Sequence, residues 1–218
     1  YNEMVVSAHQ GQRIMHSAIQ HALALGGVSV VSIPGDFAEL PVSDPAPAPA
    51  TFRRGILQPD PDSLDALVAA IDAADKVAMF VGAGARGAHD EVVALAERLK
   101  APVGHTLRGK DVIQFDNPYD VGMTGLLGYG AAAEGLEDAD LLIMIGTDFP
   151  YDQFLPNTRT AQIDRAAQHL GRRTNVDIAV HADVLPTLQA VLARVDPKGR
   201  FASDQSRRLG ILPQDLRA

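Results

Sequence analysis

Apolar and polar positions alternate along this chain with two different periods. Over residues 11–25, GQRIMHSAIQHALAL, the apolar residues Ile14, Met15, Ala18, Ile19, Ala22 and Leu23 recur at helical spacing, and Gly26-Gly27 ends the pattern. VSVVSI, 28–33, reads as a short buried strand closed by Pro34-Gly35-Asp36. One helix and one strand cannot bury their own apolar faces. Residues 1–38 are therefore expected to be the closing piece of a domain whose front lies elsewhere.

From Glu39 to Pro61 the periodicity lapses, and Pro alternates with Ala through residues 45–50. That composition predicts an extended, semi-rigid linker over 39–61. Regular patterning then resumes over 62–195. LDALVAAIDAA predicts a helix capped by Asp62 or Ser63. KVAMFVG is an apolar run of the kind that forms a strand buried on both faces. HDEVVALAERLK predicts a helix with Val92, Val93, Ala96 and Leu99 facing inward, and APVGHT a second strand. A glycine-rich stretch, 108–130, reads as irregular. AAAEGLEDA predicts a short helix, DLLIMIG a very apolar strand, TAQID and VDIAVHAD two more strands, and VLPTLQAVLARV a closing helix. Strands alternating with helices predict an α/β fold, a parallel sheet with helices on both faces. The mixed Arg, Asp, Gly and Pro of 196–218 predicts a solvated tail or linker.

Composition narrows the function classes without choosing among them. The 218 residues are 46% hydrophobic and 21% charged, with a formal net charge of −8. That is ordinary for a globular protein. An acidic balance with no basic block argues against nucleic acid as a partner. No cysteine is present, which excludes disulfides, thiolate metal sites and cysteine nucleophiles. The seven histidines, His89, His105 and His181 among them, show no metal-ligand spacing. No apolar run is long enough for a bilayer. The start, YNEMVVSAHQGQR, has neither the basic region nor the apolar core of a signal peptide. A cytoplasmic location is the expectation.

Chemistry enters with FVGAGARGAHD, 80–90, which places Gly82, Gly84 and Gly87 as Gly-x-Gly-x-x-Gly between a strand and a helix. This is the form of a Rossmann-like dinucleotide turn. The first glycine permits the turn, the second lets a phosphate approach the backbone, and the third lets helix and strand pack closely. A classical NAD site also needs an acid about 20 residues on, at the end of the second strand. Here that place holds His105, Thr106 and Arg108, with no acid before Asp111. The same glycines could equally serve packing alone. Further glycine, polar or acidic turns end the other strands: VGMTGLLGYG at 121–130, IGTDFPY from 145, QID and HAD. Ligands of open α/β sheets lie at such carboxyl ends, and several loops of one character suggest a long ligand across the sheet edge.

Together the blocks HTLRGKDVIQFDNPYDVGMTGLLG, IGTDFPY and QID resemble the central domain of thiamine diphosphate-dependent pyruvate oxidases, most of all the quinone-reducing pyruvate dehydrogenases of bacteria. GGVSVVSIPGD resembles the last strand of that family's N-terminal pyrimidine-binding domain. The resemblance implies an extended FAD on this domain. Matched residue by residue, it assigns Met123, Thr124, Gly125 and Leu126 to one flavin-binding loop. It assigns Gly146, Thr147, Asp148, Phe149 and Pro150 to a second, and Asp164 to the ADP ribose. Gly82, Gly84 and Arg86 match the first glycine turn. Thr106, Leu107 and Arg108 match a further approach to the cofactor, and Asp183 a loop beside the adenine. Phe149 and Met123 offer apolar surface to a flavin ring. Two positions depart from the family pattern: Ala166-Ala167 replaces an Asp/Asn-Pro pair, and Ala182-Asp183 replaces Gly-Asp.

The resemblance also implies a division of labour. Thiamine diphosphate and Mg2+ belong to N- and C-terminal domains whose activating Glu and Gly-Asp-Gly…Asn motif are not found in this sequence. No catalytic residue is assigned here, and the chain alone is expected to be inactive. The intact enzyme is expected to decarboxylate pyruvate oxidatively and pass electrons through FAD to quinone. Its partners are those missing domains and further copies of itself, with quinone and the inner face of the membrane reached only through absent segments. An acetolactate synthase-like carboligase with structural FAD, or a domain-packing module without FAD, are the alternatives.

Overall fold

The computed structural model describes residues 1–41, 54–128 and 130–198. Most of the Pro/Ala-rich stretch and the predicted tail beyond Lys198 lie outside these residues. The chain divides into two compact units, Tyr1–Ile56 and Leu57 onward.

In the first unit, β1 (Asn2–Met4) pairs in parallel with β2 (Val30–Ser32), and α1 (Ala8–Leu25) connects them. The short helix α2 (Gly35–Ala38) follows. Gly26, at φ +63°, ends α1 where the sequence predicts. Ile14 and Ala18 are buried, but Met15, Ile19 and Leu23 are exposed. Val30 is exposed too, so VSVVSI is not the buried strand expected. The reason is coverage. A two-stranded sheet with one long helix can bury only the strip where they touch. The strand β1 itself was not foreseen from the sequence.

The second unit is a six-stranded parallel sheet with α3 (Pro61–Ala73), α4 (His89–Leu99), α6 (Gly130–Glu137) and α7 (Val184–Leu192) packed on it. Its strands are β3 (Val77–Val81), β4 (Val103–His105), β5 (Asp120–Met123), β6 (Leu141–Ile145), β7 (Arg159–Asp164) and β8 (Ile178–His181), in the order β5-β4-β3-β6-β7-β8. Side-chain alternation explains why β3 and β6 read as unbroken apolar runs. Val77, Met79 and Val81 join Leu141, Ile143 and Ile145 under α3, α4 and α7. Ala78 and Phe80 join Leu142 and Met144 on the other face, against Leu136 of α6. With both faces covered, every position must be apolar. Each such large side chain contributes about 1.5–3 kcal/mol when fully buried. The helices on both faces match the expected architecture.

Two local expectations are corrected. Asp60, not Asp62 or Ser63, caps α3: its carboxylate accepts from the Ser63 amide at 3.0 Å, and Pro61 opens the helix. Proline suits that first position because its missing N–H would have no helical partner. The stretch 108–130 is not wholly irregular. It holds the short helix α5 (Lys110–Ile113) and the edge strand β5.

The chain builds β3, β4 and β5 outward in one direction, then returns to β6 and continues to β8 in the other. The order therefore reverses between β3 and β6. Loops leaving neighbouring strands part at such a point, which opens a crevice at the carboxyl edge.

Candidate ligand-binding cleft

Five loops meet over that reversal. They follow β3, β4, β5, β6 and β7, and they enclose a cleft of about 870 Å³. Of the residues expected to hold a cofactor, all line it except Gly82, Arg86 and Asp183.

The floor is backbone against backbone. The Gly84 amide donates to the Gly146 carbonyl at 2.9 Å. A Cβ on Gly84 would lie 2.8 Å from Gly146 Cα, and one on Gly146 would lie 2.5 Å from the Gly84 carbonyl carbon. Gly146 also sits at φ +60°. Only glycine lets these turns touch. Gly82 packs under the same contact, 2.6 Å from the Gly146 carbonyl oxygen by the position of a Cβ, and does not reach the cleft. The opening residues of α4, including His89, do not line the cleft, so no helix N-terminus faces it from the glycine turn. Arg86 instead pairs with Asp111 on the exposed surface at 3.1 Å.

The two ends differ in polarity. Thr106 Oγ1 accepts from the Gly109 amide at 3.1 Å, which closes the turn carrying Leu107 and Arg108. Across from it, the loop after β5 places Met123, Thr124, Gly125, Leu126 and Leu127 on the wall. Leu126 and Leu127 are each 66% exposed. Phe149 is only 4% exposed and stands edge-on to Phe80 at 4.9 Å, so it is chiefly a core residue. The apolar surface open to a ligand comes instead from Leu107, Leu126, Leu127 and Tyr151. Gly125, at φ +102°, approaches the Phe149 ring so closely that a Cβ would lie 3.0 Å from it.

At the other end the wall is polar and tied together. Gln162 on β7 is 2% exposed. Its amide nitrogen donates to the Thr147 carbonyl at 3.0 Å and to the His169 carbonyl at 3.2 Å, while its oxygen accepts from the Gly171 amide at 2.9 Å. One buried side chain thus joins the loops after β6 and β7. Asp148 adds a second tie by accepting from Arg172 and Arg173. Asp164, at the end of β7, accepts from the Ala166 amide at 2.8 Å and lies 3.4 Å from His169 Nδ1. Asp183 is used otherwise. It accepts from Arg165 and, at 2.7 Å, from the Leu57 amide, away from the cleft.

His105 and Asp120 lie beneath the β4–β5 side, 3.5 Å apart. Burial pushes the Asp120 carboxyl above its usual range, against the opposing pull of His105 and the Gly122 amide. Sequence reading missed Leu127, Tyr151, Gln162, His169 and Arg173. Leu127, Tyr151 and Gln162 lie inside the blocks VGMTGLLGYG, IGTDFPY and QID without being singled out, and His169 and Arg173 carried no signal.

The sequence pattern of the family described as "Thiamine pyrophosphate enzyme, central domain" matches residues 64–191, the whole span from α3 to α7. The chain belongs to this family. Members of the family are enzymes that depend on thiamine diphosphate. An "Uncharacterized 42.6 kDa protein in isoamylase 3'region" of Pseudomonas amyloderamosa is 42% identical over 89% of this chain and 50% of its own length. The pyruvate oxidase of Lactiplantibacillus plantarum is 32% identical over 91% of this chain and 34% of its own. An acetolactate synthase large subunit of Parasynechococcus marenigrum is 33% identical over 72% and 28%. The chain therefore spans half or less of the length of these relatives. The crystal structure of benzoylformate decarboxylase from Polynucleobacter necessarius shares the fold, with a TM-score of 0.74 over 91% of this chain and 39% of that one, at 21% identity.

Proposed function

We propose that the cleft binds FAD in an extended form, with the adenosine end at Asp164 and the flavin end at Leu107 and Met123–Leu127. The observation that carries this reading is the gradient along one continuous cleft. Exposed leucines line one end, touching glycine backbones form the middle, and a strand-end carboxylate stands at the other. A dinucleotide with an apolar ring system has the same order of parts. The volume of about 870 Å³ suits a ligand of that size.

The residues present fit such a group. Asp164 accepts hydrogen bonds from ribose hydroxyls, as an acid at a strand end does in dinucleotide sites. Leu107, Leu126 and Leu127 exclude water from the ring. The clamp at Gln162 holds the loops that flank the nucleoside end. Bound FAD would supply two-electron chemistry, and the protein's part is binding and orientation. A nicotinamide dinucleotide is disfavoured because the end of β4 offers His105 and Thr106 rather than an acid.

In the intact protein this domain serves a thiamine diphosphate-dependent oxidation of pyruvate, with electrons passing to quinone. The thiamine diphosphate, its Mg2+ and the membrane contact belong to other domains, and the working unit is a homo-oligomer in the cytoplasm. Among the described residues no cluster of His, Asp or Glu could hold a metal, and no helix is long and apolar enough to cross a membrane. An acetolactate-forming carboligase is the second reading, supported by the similarity to acetolactate synthases.

Titration of the purified chain with FAD, followed by flavin fluorescence, tests the cofactor. One equivalent bound is expected, and no binding overturns the reading. Pyruvate-dependent dye reduction by the intact protein separates oxidase from carboligase.

A further inference from the structure

Arg108 and Arg173 are the arginines that line the cleft among the described residues. They differ in how they are held. Arg108 is exposed, and its side chain has no hydrogen bond or ion pair among the described residues. Arg173 is pegged. Asp148, whose side chain is largely buried, is shared by two guanidinium groups. Arg172 takes it with two prongs: Nε at 3.1 Å from Oδ1, and Nη2 on Oδ2. Arg173 touches the same carboxylate only through Nε, at 3.3 Å from Oδ1. Its two terminal nitrogens have no hydrogen bond among the described residues.

The consequences follow from charge and shape. Arg172 alone matches the charge of Asp148, so the positive charge of Arg173 is not consumed. Fixing a guanidinium at Nε removes most of the freedom of a long side chain. It leaves the paired Nη groups, the edge that fits two oxygens of a phosphate. The peg itself is anchored, because Asp148 follows Thr147, whose carbonyl is held by the buried Gln162.

We propose that Arg173 binds the diphosphate of the dinucleotide and that Asp148 is its positioning residue. Arg173 stands in the loop after β7, and that same strand ends in Asp164. The loop after β6 beside it carries Gly146, part of the backbone floor. Its contact with Asp148, two residues beyond Gly146, ties Arg173 to the loop after β6, which neighbours the strand that ends in Asp164, and a diphosphate in an extended dinucleotide joins the ribose end to the middle. Arg86, the cation of the glycine turn, is engaged with Asp111 instead. The proposal rests on the dinucleotide reading of the cleft.

The test measures binding of FAD, ADP and riboflavin to the chain and to Arg173→Gln, Arg173→Lys, Asp148→Asn and the double variant Asp148→Asn/Arg173→Gln. Arg173 is partly exposed, so its loss removes no packed core. The expected result is that Arg173→Gln weakens FAD and ADP about tenfold or more and leaves riboflavin, which has no diphosphate, unchanged. Arg173→Lys recovers part of the loss. Asp148→Asn weakens FAD less than Arg173→Gln does, and adds nothing in the double variant. Unchanged FAD and ADP affinity in Arg173→Gln, or a parallel loss of riboflavin, would overturn the assignment. If the unaltered chain binds ADP but not FAD, the flavin reading fails while Arg173 is still judged on ADP. Binding of neither overturns both.

Discussion

The two ends of the cleft are built by opposite means. At the β6–β7 end, polar side chains reach across loops. Gln162 ties three backbone groups, Asp148 ties two arginines, and Asp164 is itself held by a backbone amide. At the β4–β5 end, Leu107, Leu126 and Leu127 stand exposed on turns closed by local hydrogen bonds, Gly109 to Thr106 and Gly128 to Gly125. A pre-formed polar end can recognise hydrogen-bonding groups without first ordering itself. An apolar end of exposed leucines gains most when a ligand covers it. The same sheet edge thus offers recognition at one end and burial at the other.

The contrast can be broken first at the floor the two ends share. Gly146→Ala forces a Cβ to 2.5 Å from the Gly84 backbone and a non-glycine residue to φ +60°. A loss of about 3 kcal/mol or more in denaturant unfolding is expected, with both ends of the cleft disturbed. Gln162→Ala comes next. It leaves two carbonyls and an amide without their buried partner, at about 2–3 kcal/mol. Leu126→Ala, at the exposed end, should stay within about 0.5 kcal/mol by the same measurement. Equal costs for the glutamine and the leucine would erase the distinction between tied and open ends.

These residues also show what could be read in advance. The central strands were legible because burial on both faces leaves a run with no polar interruption, KVAMFVG and DLLIMIG. The strand β5 was not. DVGM carries Asp120 at its start and Gly122 at φ +88°, and as an edge strand it needs one partner only. At the site, the glycine loops stood out because close backbone approach leaves a residue type behind. Gln162, His169 and Arg173 left no such trace. Their roles come from contacts between loops after different strands, and glutamine, histidine and arginine are ordinary surface residues elsewhere. Phe149 went the other way: its loop position suggested a ligand platform, while packing on Phe80 makes it core.

Ligand binding sharpens the comparison with smaller effects. Asp164→Ala should weaken FAD and ADP about tenfold, since a charged acceptor for ribose hydroxyls is lost, and leave riboflavin unchanged. Leu126→Ala should do the reverse, weakening FAD and riboflavin a few-fold, about 1 kcal/mol of lost burial, with ADP unaffected. The smallest effect concerns pH. Asp120, under the β4–β5 side, has its carboxyl raised by burial. The folded state therefore holds that proton more tightly than the unfolded chain. Its contribution to stability is present below the ordinary carboxylate range, and it fades as pH rises through the raised folded value. Asp120→Asn should flatten that decline in unfolding measurements made from acid to neutral pH.

The central claim is that one dinucleotide lies across both ends. Competition against bound FAD tests it most directly. One FAD per chain is expected, displaced by ADP and, separately, by riboflavin, each binding more weakly than FAD. A chain that takes up no FAD, or whose FAD is displaced by neither half, would contradict it.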